Sequence, residues 1–115
     1  HLVGEGRATT ILNAEADVDN QSAVMIIKEV ENVRVSNMTL SGGSSESHGC
    51  TGGGGLLITA NDMWSLAGDA AFTDVKIENV IIKNNTSYNG GGLSLMRVRG
   101  FEINNVIIDH NTASR

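Results

Sequence analysis

Proline is absent from the 115 residues, and cysteine occurs once, at Cys50. A lone cysteine excludes an internal disulfide framework and a CxxC metal site. Aromatic residues are scarce: Trp64, Phe72, Tyr88 and Phe101 complete the set. Such a chain offers no stacking platform for nucleic-acid bases. The eight Lys and Arg are scattered and outnumbered by thirteen Asp and Glu, for a net charge of −5. There is thus no basic footprint for a phosphate backbone. No apolar run approaches the roughly 18 residues of a membrane-spanning helix, and the sequence shows no signal-peptide pattern.

What remains is strongly biased. Hydrophobic residues make up 40% of the chain, enough for a core rather than a disordered tract. They are mainly aliphatic, with ten Val and ten Ile, beside fourteen Gly and twelve Asn. Val and Ile favour strands, and Gly and Asn favour tight turns. The composition predicts an all-β domain spanning residues 1–115.

A repeat organises the chain. Val33-Arg34-Val35-Ser36-Asn37-Met38-Thr39-Leu40, Val75-Lys76-Ile77-Glu78-Asn79-Val80-Ile81-Ile82 and Phe101-Glu102-Ile103-Asn104-Asn105-Val106-Ile107-Ile108 superimpose. Each alternates with period two, meets an Asn, and resumes the alternation one residue out of phase. Alternation marks a strand with one buried face. Keeping the apolar side inward across the phase shift requires a bend. After Gly, Asn is the residue that best tolerates the left-handed backbone of such a bend. Asn37, Asn79 and Asn105 are therefore expected to stack as a hydrogen-bonded amide ladder.

A further strand precedes each pair, at Val24-Met25-Ile26, Leu56-Leu57-Ile58 and Leu93-Ser94-Leu95. The last two follow glycine runs, at Gly52–Gly55 and Gly90–Gly92. A second asparagine column falls at Asn85 and Asn111. Three short strands and three corners, repeated, predict a solenoid of about four parallel coils.

The pattern resembles the right-handed parallel β-helix of the pectin-lyase-like superfamily. The GGGLSL stretch at 90–95, with IKNN at 82–85 and IDHN at 108–111, is similar to repeats of polymorphic outer-membrane proteins and related surface adhesins. The opening Leu2–Arg7 followed by Thr9-Thr10-Ile11-Leu12 resembles an early coil of such helices. The resemblance implies an extracellular or cell-surface location. It is far less specific for activity, since one fold carries many functions.

Coil spacing is uneven, and two insertions account for it, near 41–52 and 60–72. In repeat proteins such insertions gather on one face, often the binding face. The outward positions predict a solvated second strand (Arg34, Lys76, Glu102) and apolar stripes elsewhere. One stripe runs over Met25, Ile27 and Leu57; the other runs through Thr39, Ile81 and Ile107. An exposed stripe of that kind calls for a cover. The Trp64 insertion is the candidate for the first. Association with another copy, through Ile81 and Ile107, is the candidate for the second.

Chemistry-bearing residues are few. Superfamily enzymes act on polysaccharide and need carboxylates with a Lys or Arg on an outer face; the first sheet carries no carboxylate there. Asn105–His110 is similar to a pectate-lyase strand, but Asp109 and His110 fall at a turn. Arg97-Val98-Arg99 lacks the proline of the lyase arginine motif. Glu46 and His48 form a small acid/base pair, short of the three or four ligands zinc requires. Asp62 and Trp64 could meet a sugar. Asp17 and Asp19 are candidate calcium ligands without the glycine and distal Glu of an EF-hand loop; otherwise no cofactor is expected. Glycosylation acceptor patterns occur at Asn20, Asn37, Asn84 and Asn85.

The sequence thus points to a structural or adhesive segment, assembling through its ends and apolar stripes with itself or with the rest of a longer chain. A polysaccharide-acting enzyme or carbohydrate-binding module is the alternative.

Overall fold

The computed structural model describes residues 1–17, 19–45, 53–59 and 74–114. They form strands without helices, and no helix among them is long and apolar enough to cross a membrane. The first layer holds β1 (Leu2–Val3) and β2 (Ile11–Asn13). The second holds β3 (Met25–Lys28), β4 (Arg34–Ser41) and β5 (Ser44–Ser45). The third holds β6 (Leu56–Thr59), β7 (Val75–Lys83) and β8 (Thr86–Ser87). The fourth holds β9 (Leu93–Met96), β10 (Phe101–Asn104), β11 (Ile107–Asp109) and β12 (Thr112–Ala113).

Every pairing between these strands is parallel, and the second, third and fourth layers visit the same three sheets in the same order, while the first layer contributes to the largest sheet. One sheet runs β3-β6-β9 and another β5-β8-β12. The largest stacks β1 and β2 on β4, then β7, then β10 and β11. Such stacking is compatible with a β-solenoid.

The alternating repeat fixes the register of the largest sheet. Leu2 pairs with Val35, Val35 with Ile77, and Ile77 with Ile103. Leu12, Leu40, Ile82 and Ile108 form a second inner row. β7 lies in the middle, and its inner side chains Val75, Ile77, Val80 and Ile82 are buried. Each contributes about 1.5–3 kcal/mol of apolar burial. Leu56 and Ile58 of β6 and Met38 of β4 close the same core.

Within β4 and β7 the expected pair of strands is one strand bent at its asparagine. Asn37 and Asn79 take φ of 58° and 52° in mid-strand, and Asn105 takes 51° between β10 and β11. Two further left-handed columns flank this one: Asn32, Asp74 and Gly100 ahead of it, and Gly42, Asn84 and His110 behind it. The turn near the second asparagine column is thus made by Asn84 and His110, one residue before Asn85 and Asn111.

The register of the first sheet differs from the sequence alignment. Met25, not Val24, pairs with Leu56. Met25 and Ile27 therefore pack against the core, and Ile26 and Lys28 face outward. The cause is a continuous apolar run, Val24–Ile27, which carries no alternation to set its phase. Ser41 to Ser45 keep the register of Lys83 to Ser87.

Candidate functional site

The asparagines at the bend form a directed chain of side-chain bonds. Asn79 Nδ2 donates to Asn37 Oδ1 at 2.9 Å, and Asn105 Nδ2 donates to Asn79 Oδ1 at 3.0 Å. All donors point toward the second layer, so the Asn105 carbonyl oxygen is the terminal acceptor. Arg7 reaches it from the first layer: its guanidinium lies 3.5 Å from both Oδ1 and the backbone carbonyl of Asn105. At the ladder position of the first layer stands Gly4. A Cβ there would fall 2.1 Å from the Asn37 carbonyl oxygen, so no larger residue fits.

The second column is more deeply buried. Asn85 donates through Nδ2 to the Leu40 carbonyl at 3.2 Å and to Asn111 Oδ1 at 2.9 Å. Its own Oδ1 accepts the Gly43 N–H at 2.9 Å. Asn111 Nδ2 in turn donates to the Ile82 carbonyl at 2.8 Å. These amides satisfy the backbone groups that a corner leaves unpaired. Among the described residues no buried side-chain nitrogen or oxygen lacks a partner. The acceptor patterns at Asn37 and Asn85 therefore fall on engaged side chains, whereas Asn20 and Asn84 are exposed.

The outer face of the bent sheet has two halves. Arg34 pairs with both carboxylate oxygens of Asp74, at 3.0 and 3.1 Å, and also donates to the Asp74 carbonyl. Lys76 lies between Glu78 at 3.0 Å and Glu102 at 3.9 Å. Its hydrogen bond to Glu78, helped by the charge of Glu102, holds its ammonium above the usual lysine range. The other half holds the row Ile11, Thr39, Ile81 and Ile107. Thr39 is buried there, with its hydroxyl donating to the Arg7 carbonyl and its N–H to the Thr10 carbonyl. Ile11 and Ile107 are exposed and Ile81 is half-buried, so this stripe is open in the first layer and again across the third and fourth, and closed at Thr39.

The acidic loop closes on itself. Asp17 Oδ1 accepts the N–H groups of Asn20 at 2.8 Å and Asp19 at 2.9 Å. Those backbone bonds, Asn20's first, hold the Asp17 carboxyl below its usual range. Asp17 also lines an open cleft of 370 Å³ with Ala16, Gly42, Gly43, Ser44, Asn84 and Thr86. Among the described residues no three His, Cys, Asp or Glu side chains gather as a metal site. Asp109 and His110 touch each other at 2.8 Å and are both exposed. Glu46, His48, Asp62 and Trp64 lie outside the described residues.

The ends of the stack are the surfaces that sequence reasoning could not size. Residues that continue the buried rows are exposed in the fourth layer: Phe101 by 56%, Ile103 by 39% and Ile108 by 55%. In the first layer Leu2 and Leu12 are exposed by 44% and 38%. A cleft of 400 Å³ beside Ile11, Leu12, Asn13, Ala14 and Val24 opens at that same end.

Comparison with known proteins finds no family model, no curated protein and no solved structure that matches the chain.

Proposed function

We propose that the chain is a structural or adhesive segment of an extracellular or surface protein, wound as a right-handed parallel β-helix of about four coils. Its sheets continue in a neighbour, either a second copy or further coils of a longer chain. The observation that carries this reading is the exposure of Phe101, Ile103 and Ile108 at one end and of Leu2 and Leu12 at the other. These residues sit in rows whose middle members are buried. Free parallel edges with apolar side chains are templates for another strand. The open part of the Ile81 and Ile107 stripe lies next to one such edge and extends the apolar surface.

Charge and polar chemistry support a mechanical rather than a catalytic role. The outer carboxylates Asp74, Glu78 and Glu102 are engaged with Arg34 and Lys76. Sedimentation velocity over a concentration series tests the proposal. The 115-residue chain is expected to form species larger than a monomer as concentration rises. Ile103→Lys, still β-rich by circular dichroism, is expected to reduce them. A folded chain that stays monomeric at every concentration would overturn the assembly reading.

A further inference from the structure

We propose that Asn89–Gly90 is a site of spontaneous deamidation, by which the protein acquires a carboxylate and a lengthened backbone at one corner of the stack. Of the twelve asparagines, only Asn89 is followed by glycine. Cyclisation requires the next residue's backbone nitrogen to approach the asparagine side chain, and a missing Cβ removes the main obstacle. Asn89 and Gly90 are both exposed, and Gly90 has φ of 58°. No acceptor among the described residues takes the Gly90 N–H.

The asparagines of the two stacked columns are held differently. The amides of Asn37, Asn79 and Asn105 are tied to one another, and those of Asn85 and Asn111 are tied to backbone carbonyls. A side chain so held must break these bonds before it can swing onto its own following nitrogen. Asn84 is exposed, but Asn85 follows it and brings a Cβ.

The chemistry balances without a co-reactant other than water. The Gly90 nitrogen loses its proton and bonds to Asn89 Cγ. The Cγ–Nδ2 bond breaks, and ammonia leaves with that proton. Water then opens the cyclic imide at either carbonyl carbon. The product is an aspartyl or an isoaspartyl residue at position 89. The isoaspartyl form carries one extra atom in the main chain.

The surrounding corner has no slack to absorb that atom. Gly53 donates its N–H to the carbonyls of both Asn89 and Gly90, at 3.1 and 3.0 Å. Immediately downstream, a Cβ on Gly91 would lie 2.3 Å from the Thr112 carbonyl oxygen. Lengthening the chain between Asn89 and Gly90 separates the two carbonyls that share Gly53. The strand that follows, β9, loses its fixed start.

Peptide mapping of aged protein tests this. The folded chain is incubated for weeks in mildly alkaline buffer and digested with trypsin. Cleavage after Lys83 and Arg97 yields one peptide holding Asn84, Asn85 and Asn89, so two controls travel with the site. The mass gain of deamidation is expected at Asn89, with an isoaspartyl fraction, and is expected to be lost in Asn89→Gln. In the deamidated fraction, the amides of Leu93–Met96 are expected to exchange faster. Urea-unfolded chain serves as the control for intrinsic reactivity. If Asn89 deamidates there but stays intact in the folded protein, or if Asn84 gains mass as quickly, the proposal is wrong.

Discussion

At the scale of single residues, asparagine does two jobs in this molecule. One is conformational: Asn37, Asn79 and Asn105 hold a left-handed backbone inside or between strands. The other is chemical, since the same side chains bond from layer to layer. Two substitutions separate these roles at Asn79. Asn79→Gly keeps the backbone freedom and removes two amide bonds, at about 1 kcal/mol each. Asn79→Ala also incurs the left-handed penalty, about 1–2 kcal/mol. Urea unfolding is expected to rank Ala below Gly, a reversal of the order usual in a strand. Asp17 gives a pH test. Its carboxyl is depressed by bonds from Asn20 and Asp19. That contribution is complete above the ordinary carboxyl value of 3.8 and is lost as pH falls through the lower folded value. A carboxyl titration followed by NMR is expected to place the Asp17 midpoint below 3.8.

At the scale of elements, legibility followed alternation. The apolar, any, apolar rhythm around Ile77 and Ile103 made the bent sheet readable, together with its register. The run Val24–Ile27 has no such rhythm, so its phase is not set by the pattern, and Met25 rather than Val24 pairs with Leu56. The third sheet was not legible: β5, β8 and β12 are two-residue strands of Ser, Thr and Ala. Their signal is the spacing of the neighbouring corners, where Asn84 and His110 do the turning attributed to Asn85 and Asn111. Close packing at the glycine corners yields a further prediction. A Cβ on Gly43 would fall 1.9 Å from the Gly54 carbonyl oxygen, whereas one on Gly6 meets only the Thr9 hydroxyl at 3.1 Å. Gly43→Ala is expected to lower the thermal midpoint sharply, and Gly6→Ala to change it little. In the core, Ile77→Ala is expected to cost about 2–5 kcal/mol in urea unfolding. The exposed Ile107 should tolerate the same change.

At the scale of the whole molecule, stability is concentrated in the middle layers. Among the described residues β4 and β7 hold most of the fully buried side chains, while the first and last layers leave the same rows open. In a stack of layers each unit rests mainly on its neighbours, so a terminal layer without one is the least protected. That asymmetry underlies the proposed assembly. It also says which amides should respond when a neighbour arrives.

Hydrogen exchange of the intact chain at low and high protein concentration tests this most directly. β7 is expected to exchange slowly at both concentrations. The amides of β10 and β11, with those of β1 and β2, should become slower as concentration rises. End strands that exchange equally fast at both concentrations would contradict the proposed assembly.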